Sequence, residues 1–430
     1  MKIIDSQQKD INTELKRIIN RGETATEEVA TAVREVVERV RKQGDPAVLE
    51  YTEKFDRARF TLKDIRVSQK EIKDAYTKVD KKKVDSLKLA AHNIRTFHEK
   101  QKLSSWVSQE AHGVILGQIA RPIKSAGIYV PGGKACYPSS VLMNAIPAKV
   151  AGVEQLVMCS PAPGGKLNPY ILVAADIAGV SDIYKIGGAQ AVAAMAFGTA
   201  MIPKVDKIVG PGNIYVATAK QYVFGQVDID MIAGPSEILI IADHTADPAF
   251  IASDLLSQAE HDELASSILV TPSRELAAKM DAEVERQLAN LARKNIARKA
   301  LDRFGAIVVV GNLQEAAAVS NSIAPEHLEL AVDKPFELLA LIKNAGAIFL
   351  GHYTPESVGD YIAGPNHVLP TGGTARFFSP LSTDSFMKKS SLIFYTRESL
   401  EKVSEAVMQI ADVEGLEAHG NTIRVRMQKQ

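Results

Sequence analysis

Two cysteines in 430 residues, Cys136 and Cys159, are too few for a disulfide framework. So low a count suits a reducing cytoplasm. With no reactive signature around either thiol, each reads as a small buried side chain. Net charge is missing too: 51 basic residues balance 51 acidic ones, and the sequence pI is about 7.1. Nothing therefore draws the chain in bulk to nucleic acid or to an anionic membrane. No apolar run reaches the roughly 18 residues that a membrane-spanning helix needs. The start, MKIIDSQQKDINTELKR, mixes charges into its first turns and has no apolar core of a secretory signal. The dinucleotide fingerprint GxGxxG is absent, and no short repeat is visible. What is present, 46% hydrophobic and 24% charged residues over this length, is enough for a packed core and more than one domain.

Three zones separate along the chain. Residues 1–105 read as mostly helical, with apolar residues at helical spacing in Ala25–Gly44 and Val84–Lys100. Residues 114–350 alternate short β-rich runs with helical stretches. The strands expected there are 127–131, 154–160, 181–187, 206–210, 237–243, 266–271, 305–310 and 346–351. That alternation predicts βαβ units, an α/β fold and largely parallel sheets, with two clusters of units that could be two related lobes. Residues 352–390 are rich in Gly, Pro, Ser and Thr, a long loop of the kind that usually carries function. A strand at 391–395, a helix from about Glu398 and a polar tail come last.

Glycine marks three strand-to-helix junctions: YVPGGK (129–134), IGGAQAVAA (186–194) and VGPGNIYVATAK (209–220). Glycine lets backbone approach a ligand, and the next helix offers free N–H groups and the positive end of its dipole. The junctions suit a cleft for something with carbonyls or phosphates. Each taken singly could equally be a tight connection, since GPGNIY lacks the third glycine of a fingerprint.

Metal-ligating and proton-transferring residues cluster elsewhere. A helix over Asp247–Glu263 would put Gln258 and His261 on one face, and Asp254 and Asp262 likewise. An imidazole and an amide oxygen can begin a metal site, but a lone QxxH on a surface helix is common and needs distant partners. Of the nine histidines, His92 and His98 fall on a helix that reads as surface, and His112, His244 and His352 have no acidic or glycine-rich context. Three others have such context. PEHLEL (325–330) sets Glu326 beside His327, a pair suited to proton transfer, or else a helix-start acid with a surface imidazole. GDYIAGPNH places Asp360 and His367 in the Gly/Pro loop, as ligands or as parts of an Asx-type turn. EGLEAHG carries Glu414 and His419 near a chain end that would ordinarily fray.

The segments YVPGG, GGAQA, GPGN, GPSE, SQAEHD, APEHLEL, GDYIAGPNHVLPTGG and EGLEAHG together resemble the L-histidinol dehydrogenase family in order and spacing, over essentially the whole chain. The resemblance implies zinc ligands at Gln258, His261, Asp360 and His419, one Zn²⁺ per subunit. It implies a catalytic pair at Glu326 and His327, and NAD contacts at Tyr129, Gln190 and Asn213. L-Histidinol would touch Ser236, His367 and Glu414 as well as the zinc ligands and the catalytic pair. It further implies two incomplete Rossmann-like lobes: residues 24–128 with 236–380 carrying zinc and catalytic residues, and 129–235 carrying the NAD contacts. An N-terminal segment (1–23) and a C-terminal segment (381–430) would complete the subunit. The family forms a domain-swapped homodimer in which the C-terminal segment completes the partner's site.

The implied reaction is a four-electron, NAD-dependent oxidation of L-histidinol to L-histidine through bound histidinal, the last step of histidine biosynthesis. A paralogue acting on another small alcohol should lose the groups that grip imidazole and amine, yet Glu326, Glu414 and His367 are kept. A silent zinc-binding protein should lose the Glu326–His327 pair, which is also kept.

Overall fold

The computed structural model describes residues 1–6, 11–19, 21, 27–132 and 136–428. Ala25 and Thr26 of the first expected helix, Gly133 and Lys134 of the first glycine junction, and part of the 1–23 segment lie outside the described residues. The chain divides into two compact units, one of residues 1–101 and 123–386 and a smaller one of 102–122 and 387–430.

Fourteen strands are described: β1 (Lys2–Asp5), β2 (Trp106–Gln109), β3 (Ile115–Pro122), β4 (Ser125–Tyr129), β5 (Gln155–Cys159), β6 (Asp182–Tyr184), β7 (Lys207–Val209), β8 (Asp228–Ile229), β9 (Glu237–Ala242), β10 (Ser266–Thr271), β11 (Gly305–Val309), β12 (His327–Ala331), β13 (Ala347–Leu350) and β14 (Met387–Phe394). The larger unit holds two wholly parallel sheets, in the orders β6-β5-β4-β7-β8 and β1-β11-β10-β9-β12-β13. The α/β fold with largely parallel sheets is as the alternation predicts. All eight expected strands in 114–350 form, with ends trimmed by up to two residues on most. β12 begins inside PEHLEL and ends at Ala331; its five buried residues were not among the expected strands.

The two sheets are wound alike. In the first, β4, β5 and β6 step one way and β7 and β8 lie on the other side of β4. In the second, β9, β10 and β11 step one way and β12 and β13 lie on the other side of β9. Helices between strands cover both faces, so strand residues alternate between two cores rather than between core and water. Along β4 and β5, Ala126, Ile128, Leu156 and Met158 enter one core while Tyr129, Val157 and Cys159 enter the opposite one. Along β9, Ile238 and Ile240 face one side and Leu239 and Ile241 the other. Each Val, Ile, Leu or Met among them contributes roughly 1.5–3 kcal/mol by leaving water, which explains the near-continuous Val/Ile/Leu runs.

Local signals set the helix ends. Asp247 caps the helix Pro248–Ala259 by accepting from Ala249 N–H, and proline stands in its first turn. That helix stops at Ala259, so His261 lies past it in a turn, its N–H donating to Gln258 O (3.2 Å), and not on a continuous helical face. His98 corrects a second expectation. It is fully buried, its ring Nδ1 donating to Ile94 O at 2.8 Å, and burial lowers its pKa. The helix Lys81–Glu99 packs on the apolar helix Pro138–Ala151, so its buried face includes the position that looked like surface.

In the smaller unit β14 pairs antiparallel with β3, from Met387↔Pro122 to Phe394↔Ile115, and β2 flanks β3. Helices Arg397–Val413 and Glu417–Gln428 come next, so the expected polar tail is largely helical. This unit buries few side chains and exposes Trp106, Val107, Ile393, Ile410 and Val413. No described helix is long and apolar enough to cross a membrane.

Candidate active site and metal centre

The site of the second sheet begins at Glu237, the first residue of β9. Its backbone N–H donates to Glu326 Oε2 (2.9 Å), and its carbonyl accepts from His327 Nδ1 (3.0 Å). β12 pairs with β9 from His327↔Ile238 onward, so the pair is held at the amino ends of two neighbouring central strands. Both side chains are buried, the residues being 6% and 4% exposed, which rules out the surface-imidazole alternative. Donation from Nδ1 leaves the neutral ring with its lone pair on Nε2. That atom is buried and without a hydrogen-bond partner; Asp360 Oδ1 stands 3.6 Å away, an ion-pair distance.

Two helices deliver the surrounding donors. The last turn of Pro248–Ala259 brings the buried Gln258. Its amide is satisfied when nitrogen faces Glu237 O (3.2 Å) and Glu356 Oε1 (3.1 Å), which turns the amide oxygen away from these acceptors. The short helix Glu356–Tyr361 brings Glu356 and Asp360 one turn apart. His327, Glu356 and Asp360 offer ligand atoms within 4.8 Å of one another. His367 Nδ1 donates to the Asp360 carbonyl (3.0 Å), and His261 feels the charges of Asp360 and His327. The amide of Gln258, the imidazole of His261 and the carboxylate of Asp360 lie around His327, and oxygen and imidazole donors of this kind fit zinc. Sequence reasoning missed Glu356; its i,i+4 spacing to Asp360 was the available signal.

Burial and mutual charge set the protonation. Burial pushes Glu326 up to about 8 and Glu356 up to about 7, in each case against the opposing pull of His327. Burial works against the His327 cation, but Glu356, Glu326 and Asp360 outweigh it and raise that pKa well above the usual imidazole range. Asp360 is lowered despite its burial, through His327 and the neighbouring imidazoles. His261 and His367 are lowered by burial.

The three glycine junctions meet at the other sheet. They come directly after β4, β6 and β7, and β4 and β7 are the neighbours at which the winding reverses. The Tyr129 hydroxyl accepts from Gly188 N–H (3.1 Å), tying the first junction to the second. Gly210, with φ +112°, approaches Tyr129 so closely that a Cβ there would lie 2.1 Å from its carbonyl oxygen, tying the first to the third. Gln190 is fully buried with neither amide atom hydrogen-bonded. Asn213 caps the helix Ile214–Val223, accepting from Tyr215 and Val216 N–H, and is exposed. An unspent buried amide beside close-approach glycines fits a nucleotide cofactor.

Ser236 is half-buried immediately before β9, its carbonyl accepting from Ser266 N–H (3.1 Å). Glu414 and His419 belong to the smaller unit, where both are exposed. Cys159 is buried as expected, but Cys136 is exposed, because it precedes the helix Pro138–Ala151 in the loop after β4.

A family profile described as histidinol dehydrogenase matches residues 19–427. The chain is 56% identical over 428 residues to histidinol dehydrogenase of Geobacter metallireducens, covering 99% of this chain and 98% of that one. It is 52% identical to that of Bacillus cereus, covering 100% of both. The crystal structure of histidinol dehydrogenase from Elizabethkingia anophelis superposes with a TM-score of 0.93 at 41% identity, covering 100% of this chain and 98% of that one.

Proposed function

The chain belongs to the histidinol dehydrogenase family, an oxidoreductase of histidine biosynthesis, and from that premise we propose that it oxidises L-histidinol to L-histidine in two NAD-dependent steps at the Glu326–His327 centre. The observation that carries this reading is the buried His327 Nε2, unpartnered, beside Asp360 and held by Glu237.

In its neutral form His327 takes the alcohol proton at Nε2 as hydride leaves the carbinol carbon for NAD⁺. The same imidazole, held in one tautomer by the Glu237 carbonyl, serves the second oxidation. Glu326, raised to about 8 by burial, takes a proton from the water that attacks the aldehyde carbon. Deep burial of both groups keeps the aldehyde from bulk water. Gln258, His261, Asp360 and His419 would hold a zinc ion, which supplies an anchor for the substrate's imidazole and amine. Tyr129, Gln190 and Asn213 would hold NAD, the hydride acceptor. Ser236, His367 and Glu414 would complete the substrate's surroundings. We assign zinc and catalytic residues to the lobe of 24–128 with 236–380, and NAD contacts to that of 129–235.

Glu414 and His419 act across a homodimer in this reading, the 381–430 segment completing the partner's site. The support is the apolar surface of the smaller unit, with Ile410 and Val413 on the helix just before Glu414, which suits a protein interface. Two free cysteines suit a reducing cytoplasm.

The test is the number of NADH formed per L-histidinol consumed, with and without prior zinc chelation. Two NADH, lost on chelation and restored by zinc, is the expected result. One NADH, or activity only on another alcohol, overturns the assignment of the substrate pocket.

A further inference from the structure

Arg21 lies far from every motif of the sequence and just after the N-terminal helix Ile11–Ile19. Its side chain is nonetheless almost wholly buried, at 1% exposure. Nε donates to Leu264 O (2.8 Å), Nη1 to Ile18 O (2.7 Å) and Glu237 Oε2 (3.1 Å), and Nη2 to Pro235 O (3.1 Å) and Ser236 O (3.2 Å). Every N–H of the guanidinium is thereby used. Three of the five acceptors belong to the consecutive residues 235–237.

That tripeptide matters because it leads into the catalytic pair. Glu237 supplies the two backbone groups that hold Glu326 and His327. Its other carboxylate oxygen accepts from Gly372 N–H (2.9 Å), which ties in the loop after His367, and Gly234 N–H donates to Thr371 Oγ1 (2.6 Å) in the same loop. The planar fork of Arg21 therefore ties down the residues that lead into β9. Glu237 thus holds the side chains of both members of the catalytic pair, β13 pairs with their backbone on the other side, and Glu237 is itself clamped by Arg21.

We propose that Arg21 is a positioning residue for the catalytic pair: through the clamp on residues 235–237 it sets the place of Glu326 and His327 without touching substrate. This rests on the catalytic assignment under the proposed function. Lysine cannot replace it, since an ammonium keeps the charge beside Glu237 but cannot span four carbonyls and a carboxylate in a fixed plane.

The experiment compares full-length, zinc-loaded Arg21→Lys and Arg21→Met with the parent protein, and runs Glu326→Gln and His327→Asn in parallel. For each, kcat and KM with L-histidinol and NAD⁺, zinc content and melting temperature are measured. Arg21→Lys is expected to fold and keep its zinc and its KM for NAD⁺. Its kcat should fall roughly 10- to 100-fold at temperatures well below melting, the scale of an ångström-level misplacement. Arg21→Met should fall further if it folds; if it does not, Arg21→Lys alone decides. A kcat for Arg21→Lys within about twofold of the parent, less than any such misplacement costs, overturns the proposal and leaves Arg21 a fold residue, whatever its melting temperature. If instead Glu326→Gln and His327→Asn both keep parental activity, the catalytic assignment itself falls, and the inference with it.

Discussion

The two parallel sheets share a winding and use opposite ends. The five-stranded sheet gathers its glycine junctions at the carboxyl ends of β4, β6 and β7, where helices begin. The six-stranded sheet gathers Glu237, Glu326 and His327 at the amino ends of β9 and β12, where the helix Pro248–Ala259 ends with Gln258 in its last turn. Helix beginnings carry a partial positive charge and free N–H groups; helix ends carry the opposite. In the proposed reading one end takes an anionic, hydrogen-bond-accepting cofactor and the other a cation. The lesson is that one topology yields two chemistries according to which edge of the sheet is furnished with polar side chains.

Substitution can break this division of labour. The largest effect belongs to His327→Asn, which removes the base proposed at the amino-end site. Steady-state kcat with L-histidinol should fall about 10²–10⁴-fold, with KM for NAD⁺ unchanged; a raised KM for NAD⁺ with intact kcat would erase the distinction between the two ends. Next, Glu326→Gln should slow histidinal oxidation about 100-fold while alcohol oxidation slows far less, measured by single-turnover kinetics from each substrate. Equal slowing of both steps refutes the water-activating role. Glu356→Gln should weaken zinc binding about 10- to 100-fold, read by competition with a chelating dye, because Glu356 Oε1 both faces Gln258 and belongs to the carboxylate cluster.

The carboxyl-end site should answer differently. Gln190→Leu replaces a buried, unpartnered amide with an apolar side chain of similar size. The free protein should gain about 1 kcal/mol in denaturant unfolding, while KM for NAD⁺ rises and zinc content stays. A loss of stability would mean that the amide already has a partner.

The smallest effect is on pH stability. Asp254, one turn before Gln258, is pushed up to about 6 by burial and is hydrogen-bonded to Glu329, which burial and Asp254 raise further. An acid whose folded pKa is raised holds its proton more tightly when folded. The stability this contributes is fully present below the ordinary carboxylate value and is lost as pH rises through about 6. Asp254→Asn should flatten that decline between pH 4 and 7, a range set by those two values; an unchanged slope would place the titration elsewhere.

Much of this is legible without the structure. The alternating runs mark eight of the eleven strands of the two parallel sheets, because strands buried on both faces read as β-branched and aliphatic blocks between helical periods; β1, β8 and β12 were missed. The family resemblance named candidate site residues, and the structure places Glu326, His327, Gln258 and Asp360 close together. Less legible were features that depend on what packs on what. His98 sits on a helix whose buried face is chosen by the helix Pro138–Ala151, so its polarity was no guide to exposure. Glu356 lies in a loop-rich stretch where a six-residue helix leaves almost no periodic trace. Arg21 belongs to no motif, and its role exists only through acceptors at 235–237 and 264.

The sequence by itself thus determined the class of fold, the three glycine junctions and the chemical types available for a metal and for proton transfer. These come from side-chain polarity, period and backbone freedom, which are local properties. Only the tertiary structure decided that the junctions converge on Tyr129, that His327 keeps one nitrogen free beside Asp360, and that Glu237 holds the catalytic pair under the clamp of Arg21. Those outcomes come from parallel pairing across long crossovers and the packing around it, which bring residues 59 to 216 positions apart within hydrogen-bonding distance. Local pattern contains no record of such distances.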